Sequence, residues 1–186
     1  MIEITERQIN RIDAILSGIK NARYRVFSNA INRGLIAGKT EGTKLIHQTY
    51  NVKAQTVSKY GKVRLDKAGG NNSVGQIEFA GAVIPLMEFK VSPREGNKRK
   101  TVTAAVLRSG TGAQIARAYV TDLKKGMGVF ERLTRKRESS QTLYGPSVAH
   151  MAENINVLPK MEEKVQKMVN ERIEHEITRL LSGYGR

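Results

Sequence analysis

The chain has 186 residues, with 32 Lys and Arg against 17 Asp and Glu, a formal charge of +15, and 39% apolar residues; that is too apolar for full disorder. A chain of this length can bury roughly 70% of its extended surface as one domain. No cysteine is present, which excludes a disulfide framework, thiolate metal sites and a cysteine nucleophile; no apolar run approaches the ~20 residues that span a bilayer, and Met1 to Glu6 lacks the basic opening of a secretory signal, so a soluble protein is expected.

From about Thr5 to Leu16, Ile9, Ile12, Ile15 and Leu16 fall near helical spacing with polar residues between them. This predicts a short amphipathic helix with Thr5 as N-cap and Gly18 as stop. A longer helix is predicted over 21–50, where Ala22, Val26, Ala30 and Ala37 join Phe27, Ile31, Leu35 and Ile36 in a face of small and large apolar residues. Gly34, Gly38 and Gly42 lie inside it and cost about 1 kcal/mol each; they either admit another element close to the backbone or break the helix. Lys53 to Tyr60 reads as a third short helix or a turn.

The period then changes to two. Val63 and Leu65 alternate with Lys62, Arg64 and Asp66, and a turn of the hairpin kind follows over 67–72. Further strands are predicted around Val74 to Phe79, at Ala82 to Ile84, and at Thr101 to Leu107 between Gly96 and Gly110. A last pair is predicted at Ala116 to Val120 and Gly128 to Leu133. After these, Met161, Val165, Met168, Val169, Ile173, Ile177, Leu180 and Leu181 recur at threes and fours, predicting a long amphipathic helix that ends at Gly183 and Gly185. Its apolar stripe packs on the sheet or serves as a subunit contact. The sum is a single α+β domain over 1–186: helices over 1–60, a central, mostly antiparallel sheet of about five strands over 61–135, and a C-terminal helix over 146–183 packed on the sheet.

Charge is distributed unevenly. Residues 150–186 sum to zero and 1–40 to +4, so 41–149 carry +11. Within that centre, Lys98-Arg99-Lys100 and Arg135-Lys136-Arg137 read as loop tips. Each alone suits a solvated turn; together they favour an anionic partner, and they are the candidate DNA-facing residues. Contacts of this kind release counterions, read no base sequence and weaken steeply with salt. With no Trp, four Phe and six Tyr, a base-stacking platform for single strands is not supported.

No catalytic constellation emerges. A G-x-x-x-x-G-K-[ST] loop is missing, and Gly110-Thr111-Gly112 and Gly126-Met127-Gly128 lack the third glycine of a dinucleotide loop. Ser147 follows Gly145-Pro146, which is not a nucleophile elbow. His47, His150 and His175 are far apart, and Glu171 with His175 reads as a surface ion pair rather than a metal site. The residues therefore point to a binding or structural protein with no catalytic residues, metal or cofactor. A stand-alone, sequence-nonspecific nucleic-acid-binding module is the alternative.

At Leu143-Tyr144-Gly145-Pro146-Ser147-Val148, followed by an amphipathic helix, the chain resembles the minor tail protein Z family of tailed bacteriophages and prophages. Ala30-Ile31-Asn32-Arg33 and Tyr50-Asn51-Val52-Lys53, with the strand Val102 to Leu107 and Ala116 to Val120, follow in the family's order, so the resemblance covers most of the chain. It implies a tail-completion or neck protein of the virion, made in the bacterial cytoplasm and acting without catalysis where tail meets head. The implied partners are copies of itself in a sixfold ring, tail terminator or tube and head-connector proteins, and DNA passing without sequence preference, with no membrane. Six copies would surround that DNA with about +90. Candidate subunit or neighbour contacts are Tyr144, Gly145, Pro146, Met161, Val165, Met168, Ile173 and Ile177. Pro146 suits the first turn of a helix, and Tyr144 can bury its ring while keeping its hydroxyl bonded.

Overall fold

The computed structural model describes residues 5–69, 73–96, 101–123, 126–134 and 139–183. The chain gathers into two compact units, one of Met1–Thr43, Val63–Glu78 and Leu158–Arg186, the other of Lys44–Lys62 and Phe79–Val157. The class is α+β: helices at the N-terminal end, small antiparallel ladders in the middle and a long C-terminal helix.

In the first unit, α1 (Glu6–Ile15) starts where the sequence places it. Thr5 Oγ1 accepts from the Gln8 N–H, and the Gln8 side chain accepts from the Thr5 N–H, a reciprocal cap that satisfies two orphan donors. α2 (Ala22–Thr49) begins after Asn21, whose positive φ of 56° turns the chain between the two helices. α5 (Leu158–Leu181) tolerates Pro159 because the first turn has no intrahelical acceptor for that N–H. It ends near Gly183, where φ is 77°.

These three helices share one core. Ile12 and Leu16 of the α1 region and Val26, Phe27 and Ala30 of α2 are buried with Val165, Val169, Ile173, Ile177 and Leu180 of α5. Among the described residues only Ile77 comes to this cluster from a strand, so the α5 stripe packs mainly on helices rather than across a sheet. The glycines explain the preference. A Cβ at Gly34 would lie 2.6 Å from Val169 Cγ2, and one at Gly38 2.5 Å from Val165 Cγ2 and 2.7 Å from Ile77 Cδ1. The helix runs unbroken through Gly34, Gly38 and Gly42; burial against α5 outweighs the propensity cost of the glycines.

The β region is a set of small ladders. β1 (Gly61–Asp66) pairs with β2 (Gln76–Gly81), and residues of both strands divide between the two units. In the second unit, α3 (Ala54–Tyr60) precedes β3 (Val83–Pro85), which pairs with β10 (Tyr144–Ser147). β4 (Lys90–Ser92), β5 (Val102–Ala105) and β6 (Ala113–Ile115) form one antiparallel sheet in that order. β7 (Ala118–Leu123), β8 (Gly126–Arg132) and β9 (Ser140–Thr142) form another. Thus the described strands divide among four ladders of two or three members instead of one central sheet. Most are short: β5 stops at Ala105, and β7 starts only after Arg117, whose φ of 58° breaks the ladder.

Asn51 ties the end of α2 to β5. Its N–H donates to Val106 O, and its side-chain amide donates to Ala105 O and Leu107 O. In return Arg108 donates from its N–H to Thr49 O and from Nε to His47 O and Tyr50 O, taking up carbonyls that a helix C-terminus leaves unpaired. The predicted C-terminal helix is divided. Pro146 lies in β10 rather than in a first helical turn, Ser147 caps α4 (Val148–Ala152), and α5 starts six residues further on. Asn154 causes the gap: its amide donates to Tyr50 Oη and its Oδ1 accepts from the Asn156 N–H, a local bond that competes with helix.

Gly34→Ala and Gly38→Ala each lower stability by about 1–2 kcal/mol, because overpacking against Val165 and Val169 exceeds the helix-propensity gain of about 1 kcal/mol. Chemical denaturation midpoints check this. Val165→Ala restores part of the loss in the Gly38→Ala background.

Candidate functional site

Within the first unit, α2, α5 and the segment after β1 bring dispersed bases together. Two adjoining clefts share Asn29, Asn32 and Arg179 in their lining. Around them stand Lys20, Arg25, Arg33, Lys67, Arg172 and Arg179, with Glu176 as the one acid of the lining among the described residues. Lys20, Arg33 and Lys67 are exposed and form no ion pair with a described residue.

Glu176 organises the group. It is only 3% exposed, yet it is a carboxylate. Its Oε2 accepts from Asn29 Nδ2 at 3.0 Å and from Arg179 Nε at 2.9 Å, with Arg179 Nη2 at 2.7 Å. Arg172 Nε lies 3.6 Å from Oε1 and His175 Nδ1 4.0 Å. Helical spacing delivers these neighbours: Arg172 is four residues before Glu176 and Arg179 three after, on one face of α5. Burial pushes the carboxyl's pKa upward, but the Asn29 and Arg179 hydrogen bonds and the charges of Arg179 and Arg172 outweigh it and hold the group below its ordinary value of 4.5.

Lys67 is placed by a second polar lock. Asn32 Nδ2 donates to Ala68 O and Asn32 Oδ1 accepts from the Ala68 N–H, both at 2.9 Å, so one side chain pairs with a backbone unit as a strand would. Ser28 lies in the same lining, and its shielded Oγ has no hydrogen-bond partner among the described residues.

Lys98, Arg99 and Lys100, and Arg135, Lys136 and Arg137, lie outside the described residues, between β4 and β5 and between β8 and β9 in sequence. Met161, Val165, Ile173 and Ile177 are buried in the first unit, and Met168 is half-buried. Tyr144 is 54% exposed on β10; Gly145 beside it is packed so closely on the Phe89 ring that a Cβ would meet Cε2 at 2.5 Å. Sequence reading missed the α2–α5 cluster because its bases come singly from three distant segments. The only traces in the sequence are the helical spacings of Arg25 with Arg33 and of Arg172 with Glu176 and Arg179.

Among the described residues no three His, Asp or Glu side chains gather as metal ligands, and no helix is long and apolar enough to cross a membrane. The arrangement offers fixed positive charge for holding an anion. Residues 7–185 match the family model described as prophage minor tail protein Z. No curated protein and no solved structure matches the chain.

Because the folded carboxyl titrates below its unfolded value, the stabilisation from Glu176 is complete above about pH 4.5 and disappears as pH falls through the lower folded value. Urea midpoints across this range drop more for the wild type than for Glu176→Gln. At neutral pH, Arg179→Ala costs about 2–3 kcal/mol by removing both Arg179 contacts from a buried carboxylate that keeps the Asn29 hydrogen bond and the more distant Arg172. Arg64→Ala, which removes an exposed pair with Glu78, costs at most about 0.5 kcal/mol.

Proposed function

We infer that this chain, which belongs to the prophage minor tail protein Z family, is a non-catalytic structural subunit of the joint between phage tail and head, assembled with copies of itself around the DNA path. Membership of the family gives it a structural role in a phage tail and hence a place in the virion. The neck position, a ring of six copies, and the tail-terminator, tube and head-connector neighbours are our reading beyond that. The observation that carries it is the reach of the family match, which takes in residues of both compact units.

A closed ring needs two different, complementary patches on each copy. The second unit offers an apolar one at the β3–β10 ladder, where Val83 is 51% and Tyr144 54% exposed. The cationic clefts of the first unit, beside Glu176, are left for the DNA path in this reading. The +15 charge suits a subunit that surrounds a polyanion. The same charge, +11 of it in residues 41–149, favours a second reading, a stand-alone nucleic-acid-binding module.

The discriminating experiment is disruption of the gene in a phage that carries it, followed by negative-stain microscopy and infectivity counts. The proposal expects separate heads and tails or non-infective joints. Normally joined, infective particles overturn it and favour the second reading.

A further inference from the structure

We propose that the α2–α5 face around Glu176 binds the phosphate backbone of duplex DNA. This names the surface that meets DNA in the tail reading above, and rests on that reading for its setting; the binding chemistry stands on the face itself.

Among the described residues the face holds six bases and one acid, and that acid is buried under two of the bases. Its charge is extended rather than focal. Arg25 and Arg33 are eight residues apart on α2, about 12 Å along the axis, and Arg172 and Arg179 seven apart on α5, about 10 Å. Duplex DNA carries one phosphate charge per ~1.7 Å of axis, so a span of this length meets several of them. The geometry is held in advance, since Glu176 fixes Arg172 and Arg179 while Asn32 fixes the backbone beside Lys67. Less side-chain freedom is then lost when a phosphate arrives.

The rest of the lining is also polar, with asparagine amides and a tyrosine hydroxyl of the backbone-contacting kind. It lacks the buried apolar anchor around which protein interfaces concentrate their affinity, Ile36 being the sole large aliphatic there. Tyr24 is its one aromatic ring, too few for the successive stacking that single strands require. Duplex phosphate therefore fits better than an acidic protein surface or an unpaired strand.

The test titrates the purified full chain into two fluorescently labelled duplexes of unrelated sequence, read by anisotropy from about 50 to 200 mM salt. Arg33→Glu with Lys67→Glu alters exposed residues that pair with no described carboxylate, and Lys53→Glu with Lys90→Glu makes the same charge change on exposed residues of the second unit. Arg33→Gln with Lys67→Gln supplies a milder version should the reversal disturb folding, which circular dichroism reports. The proposal expects equal binding of both duplexes, at least tenfold weaker affinity for Arg33→Glu with Lys67→Glu, a salt slope shallower by about two, and a change within about twofold for the Lys53 and Lys90 pair. Equal losses for the two pairs, or a loss confined to replacement of Lys98 to Lys100 and Arg135 to Arg137, overturn it. So does binding of polyglutamate, but not duplex, through Arg33 and Lys67. A failure here leaves the tail role standing, because particle morphology after gene disruption judges that role independently.

Discussion

The first unit depends on how closely two helices approach. Gly34 and Gly38 leave no side chain between the α2 backbone and Val165 and Val169 of α5, so the two helices meet at backbone range. That approach completes the core and also determines which polar groups become neighbours. Asn29 reaches Glu176 only because α2 lies this near α5. Arginines drawn together in this way repel one another, and a buried carboxylate with three charge-assisted or amide hydrogen bonds offsets the repulsion. The cationic face is thus a by-product of core packing, stabilised by one acid placed at its centre.

Two segments that give the chain its family likeness turn out to be locks rather than chemistry. In Ala30-Ile31-Asn32-Arg33, Ala30 is fully buried, Asn32 clasps Ala68, and Arg33 is left on the cationic face. In Tyr50-Asn51-Val52-Lys53, Tyr50 and Val52 are buried and Asn51 binds three backbone carbonyls at and beyond the end of β5. Asparagine serves in both because its short amide carries two N–H donors and an acceptor: Asn32 uses a donor and the acceptor, Asn51 donates to two carbonyls.

Helices α1, α2 and α5 were legible in the residue pattern because each carries its own instructions: Thr5 as a cap, apolar spacing at threes and fours, glycine at the C-terminal end of α5; the break between α4 and α5 was not. What glycine does inside α2 was not legible, since close approach and helix breaking predict the same residue, and the answer lay with Val165 more than a hundred residues away. The sheet was legible as strand-forming segments but not as ladders. Arg117 and the Gly145-Pro146 step interrupt it through local backbone geometry that period-two alternation does not register, and Asn154 divides the C-terminal helix in the same local way. The cationic face was the least legible, because Lys20, Arg33, Lys67 and Arg179 are isolated along the chain and acquire collective meaning only through packing.

The origin of the α2 packing partner has a consequence for biogenesis. Val26, Phe27 and Ala30 share their buried cluster with residues 165 to 180, which leave the ribosome well over a hundred residues later. At typical elongation speeds of about 5–20 residues per second, the N-terminal helices wait on the order of ten seconds for that partner. Throughout that interval the nascent chain presents an uncovered oily stripe. The unit closes only after residues 165 to 180 have emerged, so a stop before them yields a sticky fragment and not a smaller working part.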